Sequence, residues 1–162
     1  MRVVIDGADQ FRNYLAGSRS ITEQELKAAL TEALLFLERE TKENTPVGAS
    51  GGGGGLRNSI GVRQPLNQLF GFVGTSVPYA KHVEIGTRPH FPPPAALYDW
   101  VRKVLDVPEK DVPGVAFLVA RKISKRGTKG KFMFRDAIRS STPLINRRFN
   151  IALENILNRV NE

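Results

Sequence analysis

Two apolar stripes at helical spacing, one towards each end of the chain, constrain its fold more than any other feature. Leu26, Leu30, Ala33, Leu34 and Leu37 recur at offsets of 4, 7, 8 and 11, and Leu35 and Phe36 widen the set. Ile145, Phe149, Ala152, Leu153, Ile156 and Val160 repeat at offsets of 4, 7, 8, 11 and 15. At about 3.6 residues per turn each set lines one face of a helix, and that face must be covered. Ser20/Glu23 and Thr22/Glu25 both have capping-box spacing and predict the start of the first helix. Asn44 and Pro46 predict its end, because proline disfavours a helical residue before it. Thr142 and Pro143 offer a cap and a first-turn proline for the second.

Between the stripes the pattern changes. Leu56–Arg63 and Leu69–Thr75 alternate apolar with polar or small residues around the turn-forming Gln64-Pro65-Leu66-Asn67, which predicts a β-hairpin. Residues 2–5 alternate weakly, as a short edge strand would. Tyr79–Ile85 reads as a short helix or turn closed by Gly86. Pro92-Pro93-Pro94 launches another helix, with Leu97, Trp100, Val101, Val104 and Leu105 as its apolar face. Val115–Ile123 reads as a helix, Ser124–Lys131 as a basic loop, and Phe132, Phe134, Ala137 and Ile138 as a return into the core. The glycine-rich residues 47–55 lose too much backbone entropy on ordering to form regular structure, so a mobile loop is expected there. The expectation is an α+β fold: a single domain over residues 1–162, with long N- and C-terminal helices packed on a small antiparallel sheet, plus additional short helices. Length agrees, since 162 residues support one real core and not two comfortable ones.

Composition narrows the chemistry. There is no cysteine, which removes disulfides, thiolate zinc sites and cysteine nucleophiles, and fits assembly in a reducing cytoplasm. No apolar run approaches the ~20 residues of a membrane-spanning helix, and Met1–Gly7 is too soon interrupted to be a secretory signal. The net charge of +8 is unevenly spread: residues 23–43 hold six acidic and three basic side chains, whereas residues 121–148 hold ten basic and one acidic. Such asymmetry suits an anionic partner for the second half, or simply a solvated basic surface.

Catalytic and metal patterns fail on context. The glycine run lacks a following Gly-Lys-Ser/Thr and precedes a strand-like run, so it is not a phosphate-binding loop. His82-Val83-Glu84 has the H-x-E look of zinc deaminases but no downstream P-C-x-x-C. His82, Glu84 and His90 fall short of the convergent ligands and supporting shell that zinc needs. No nucleophile elbow surrounds Ser76 or any other serine that might join His82 and Asp99. The expectation is no enzyme activity, no cofactor and no metal.

One ordered set of motifs is distinctive. Thr45-Pro46-Val47, a glycine-rich turn, Leu56-Arg57-Asn58-Ser59-Ile60, Gly74-Thr75-Ser76-Val77-Pro78-Tyr79-Ala80, Val83-Glu84-Ile85-Gly86-Thr87-Arg88-Pro89 and Phe132-Met133-Phe134-Arg135-Asp136-Ala137 follow one another between two long helices. In this order they resemble the Hong Kong 97 phage gene-product-10-like family, over residues ~20 to 160. The chain departs from the family in replacing the Asp-Thr-Gly after T-P-V with residues 48–55. It also carries residues 92–131 as a helical insertion with a basic arm.

The resemblance implies a structural virion protein of the neck or tail of a tailed phage, in tail completion or head–tail joining. It would act as one subunit of a ring, six-fold by the resemblance, whose partners are copies of itself and neighbouring neck or tail proteins. Candidate assembly contacts are Tyr79, Val83, Glu84, Thr87 and Arg88, with Glu84 either pairing to His82 and Arg88 or reaching a neighbour. The rival reading is nucleic-acid binding through the basic region 121–148. There Arg121, Lys122, Lys125, Arg126, Lys129 and Lys131 would meet phosphates or an acidic partner, and Phe132 and Phe134 would stack on bases. No helix-turn-helix, zinc finger or RNA-recognition signature encloses that run.

Overall fold

The computed structural model describes residues 8–46, 55–65 and 68–160, with side chains from Gly17 onward. The possible strand at residues 2–5 and all of the glycine-rich loop except Gly55 lie outside the described residues. In chain order the elements are α1 (Ala8–Asn44), α2 (Gly55–Ser59), β1 (Gly61–Arg63), β2 (Phe72–Gly74), α3 (Ala80–Ile85), β3 (Gly86–Thr87), α4 (Tyr98–Val104), α5 (Val112–Arg126), β4 (Thr128–Lys129) and α6 (Met133–Val160). Single 3-10 turns at Pro94–Leu97 and Glu109–Asp111 lead into α4 and α5. The architecture is α+β, with long helices at both ends and small antiparallel ladders between them.

Both long helices begin earlier than their capping signals predict. α1 runs through Ser20 and Thr22 without a break. Thr22 turns its hydroxyl back to the Ser18 carbonyl (2.8 Å), and Arg19 pairs with Glu23 (3.0 Å), so the polar side chains support the helix instead of capping it. α6 begins at Met133 and carries Pro143 inside it. The proline ring offers no N–H to the Arg139 carbonyl, and the Thr142 hydroxyl donates to Ile138 (2.7 Å) beside that gap. Tertiary contacts with α1 outweigh these local signals.

α1 and α6 pack antiparallel. The Thr45 hydroxyl meets the Met133 sulfur at 3.3 Å, Arg148 forks onto Glu32, and Arg159 reaches Glu25 at 2.7 Å. Between these ties lie Ala29, Ala33, Ala137, Ser141 and Ala152, all buried. Small side chains let the two axes approach closely. Among the described residues, seven of the thirteen buried apolar side chains are alanine, so the core gains little from large side chains.

The seam coincides with the apolar stripes only at Ala33 and Ala152. On α6 the positions facing α1 are Ala137, Ser141, Arg148, Ala152, Asn155 and Arg159. Ile138, Phe149, Leu153, Ile156 and Val160 each follow one of them by a single residue, about 100° further round. On α1 the same step separates Glu25 and Ala29 from Leu26 and Leu30. Because the helices are antiparallel, both rotations turn to the same side of the pair. The β1–β2 hairpin lies on that side, with Leu34 of α1 filling the space a side chain on Gly71 would need. Its register is Gly61↔Gly74, Val62↔Val73 and Arg63↔Phe72. The hairpin is shorter than the sequence suggests, because Gly55–Ser59 forms a helical turn that buries Leu56. Towards the end of α6 the apolar side stays open: Leu153 is 51% and Leu157 63% exposed.

Residues 94–126 form a helical lobe with a core of its own. Val101, Val112 and Ala116 are buried against Leu97, Tyr98, Val107 and Val115. Arg102 clamps the lobe from outside, forking onto Glu109 (2.6 and 2.7 Å) and reaching Asp99 (2.8 Å). Of the apolar face expected on α4, Val101 is buried and Leu97 half-buried, while Trp100, Val104 and Leu105 stay exposed. α5 runs from Val112 to Arg126, so Lys125 and Arg126 belong to a helix and not to the expected loop.

Candidate functional site

The motifs that are scattered along the sequence meet at one junction, where α2, α3 and the start of α6 close over the end of α1. Leu56, Ala80 and Met133 form its core, with Val77, Val83 and Phe134 packed against them, and buried Thr45 reaches Met133 from the end of α1. Glu84 holds the junction together. Its carboxylate accepts the backbone N–H of Phe134 (3.0 Å) and of Arg135 (3.1 Å), two donors that the first turn of α6 cannot satisfy internally. The backbone adds to this: Lys131 N–H donates to Val83 (2.8 Å) and Phe132 N–H to Glu84 (3.0 Å). Phe132 takes a left-handed conformation (φ 52°) as its carbonyl accepts the Asp136 N–H, and the Arg135 guanidinium lies 3.6 Å from its ring centre. Among the described residues no ion pair joins Glu84 to His82 or Arg88, so its local partners are backbone amides.

Next to the junction, β3 and β4 bridge the start and end of the lobe, pairing Gly86 with Lys129 and Thr87 with Thr128. The two threonine hydroxyls meet at 2.9 Å, and each also accepts the other residue's N–H. Gly86 (φ 81°) and Gly127 (φ 66°) adopt backbone that other residues resist, and at both a side chain would strike the opposing main chain. The same crowding meets Gly130 against the Glu84 carbonyl. The Gly86 turn is legible in the sequence; its need for Gly127 and Gly130 is not, because the partners are some forty residues apart.

This bridge brings the two sets of candidate residues together. A cleft of about 480 Å³ is lined by Tyr79, Val83 and Thr87 from one set and Lys129 and Lys131 from the other, with Leu56, His82 and Trp100 completing it. Pro46, Gly55 and Thr128 also line it. A second hollow of about 360 Å³ shares Trp100 and Thr128 and adds Lys122 and Ile123. Tyr79 is exposed, Val83 and Thr87 are half-buried, and Arg88 is exposed beside them. Trp100, read from the sequence as part of an apolar helix face, is instead a wall of both hollows.

The basic run is divided. Lys122, Lys129 and Lys131 line the hollows, whereas Arg121, Lys125 and Arg126 line neither. All six are exposed, and among the described residues none forms an ion pair. The aromatic rings expected to stack on bases are already engaged: Phe134 packs in the junction core and Phe132 lies beneath Arg135. Free aromatic platforms for stacking are therefore not what the fold presents beside the basic run.

Electrostatic perturbation concentrates on the helix seam and the lobe. Hydrogen bonds from Asn155 and then Arg159 hold the Glu25 carboxyl below the usual range, and Arg148 does the same to Glu32. Arg102 lowers Glu109 in the same way. These are effects of hydrogen bonds and ion pairs along the seam and the lobe, and none of the groups lines the cleft. Among the described residues no group of three His, Asp or Glu side chains is placed to hold a metal ion, and His90 turns its Nδ1 to the Arg88 carbonyl (2.9 Å). Comparison of the chain with protein-family models, curated proteins and solved structures found no match.

Proposed function

We propose that the chain is a structural subunit of the neck or tail of a tailed phage, closing with copies of itself into a ring and carrying no catalytic activity. The observation that carries this reading is the open apolar side of the α1–α6 pair. Leu153 and Leu157 stand half or more exposed there, and Phe149, Ile156, Leu26 and Leu30 are only half-buried. Full burial of a leucine contributes about 1.5–3 kcal/mol, which this chain realises at these positions only by association. A ring subunit needs two faces, one for each neighbour, and the open apolar side is the candidate for one of them.

The family resemblance supplies the setting. Its motif residues hold the junction, with Glu84, Gly86 and Met133 at the centre, while Tyr79 and Arg88 stay exposed and Thr87 half-buried beside them. The residues expected to touch neighbours thus sit on a rigid base. The reading is tested by deleting the gene from its phage genome and imaging the lysate. Separated heads and tails, or unfinished tails, are the expected result; intact infectious particles would refute it.

A further inference from the structure

The cleft between α3 and the basic arm has a chemistry that ring closure does not explain. Its lining is mostly apolar, with Leu56, Val83, Tyr79 and Trp100 contributing, and it also includes Lys129 and Lys131. Lys122 stands at the adjoining hollow beyond Trp100. At about 480 Å³ it is in the size range of sites that enclose a side chain or small ligand. Tyrosine and tryptophan with a wet edge and an apolar body are the residues most enriched at binding surfaces. None of the three lysines has a carboxylate partner among the described residues.

We propose that this cleft binds an acidic peptide segment of a partner protein, which inserts one apolar or aromatic side chain between Tyr79 and Trp100 while flanking carboxylates meet Lys129, Lys131 and Lys122. Charge complementarity selects an anionic occupant. Within that class the concave apolar floor favours a peptide over a nucleic acid, because a side chain fills a pocket whereas a phosphate backbone needs a track. The engagement of Phe132 and Phe134 also leaves no free ring of that pair for bases to stack on. Peptide binding here does not depend on ring formation, since the cleft lies beside the β3–β4 bridge and Leu153 and Leu157 do not line it.

Trp100 is the one tryptophan in the chain and lines the cleft, so its emission reports occupancy directly. The probes are a random copolymer of glutamate and tyrosine, polyglutamate and oligothymidylate, each titrated into the full chain at low salt with selective tryptophan excitation. The copolymer is expected to shift Trp100 emission saturably and to bind at least tenfold more tightly than polyglutamate. The Lys129→Gln/Lys131→Gln double variant should weaken it by at least tenfold, with the helical circular dichroism unchanged. Lys125→Gln, at an exposed position that lines neither hollow, should leave it as it is. The proposal is overturned if the copolymer leaves Trp100 emission unchanged, if it binds no more tightly than polyglutamate, or if the double variant binds it equally well. Tighter binding of oligothymidylate than of the copolymer would equally overturn it, assigning the cleft to nucleic acid.

Discussion

The carboxylate of Glu84, near the end of α3, accepts the backbone N–H of Phe134, fifty residues further along the chain. With Arg135 as its second donor, Glu84 caps the longest helix after α1 from outside that helix. Glu84→Ala is expected to lower unfolding stability by about 1–2 kcal/mol, the usual cost of a lost N-terminal cap. Glu84→Gln keeps an acceptor and should lose less. Urea denaturation of the two variants checks this; an alanine variant as stable as the parent would show that the cap contributes nothing.

Ser141 is fully buried on α6, and its hydroxyl has no hydrogen-bond partner among the described residues. A buried polar group in that state costs about 1–3 kcal/mol, and alanine is also the better helix former. Ser141→Ala should therefore raise stability by about 1 kcal/mol. A loss of stability would mean that the hydroxyl is satisfied.

The glycines separate by position. Gly17 lies inside α1 with open space around it, so Gly17→Ala should stabilise by about 1 kcal/mol. Gly86 combines a positive φ with the Thr128 carbonyl where a side chain would go, and Gly86→Ala should loosen the lobe or prevent folding. Thermal melts of the two variants should move in opposite directions.

Acid should weaken the helix pair. Glu25 and Glu32 have their carboxyls held below the ordinary glutamate value by partners on α6. A group depressed on folding contributes stability that is full above its unfolded value, about 4.3, and fades as pH falls through the folded one. Melting temperature should thus drop on the acid side of about pH 4.3. The drop should shrink in a Glu25→Gln/Glu32→Gln variant and in high salt. An identical acid response in parent and variant would exclude these pairs as its source.

Much of this architecture was legible in the sequence. The two amphipathic stripes, the hairpin around Gln64–Asn67 and the Gly86 turn are local signals, and each corresponds to an element. The helix starts were misread because Ser20, Thr22, Thr142 and Pro143 have local meanings that continuous packing of α1 on α6 overrides. The true cap of α6 is Glu84, which no local pattern can reveal. Which face of each helix forms the seam was also hidden. Of the stripe residues the seam takes Ala33 and Ala152 and turns the larger ones aside, adding Ala29 and Ala137 with Arg148 and Arg159 across them. The cleft was hidden for the same reason, since Trp100 and Lys129 meet only after the Thr87–Thr128 bridge closes.

That offset between seam and stripe is the physical basis of the proposed assembly, and sedimentation measures it most directly. The parent protein is expected to associate with rising concentration into a closed oligomer of discrete size. Leu153→Glu/Leu157→Glu, placed where both side chains already face solvent, should remain monomeric with its helical content intact. A parent that sediments as a monomer throughout, or a double variant that assembles as well as the parent, would contradict the account.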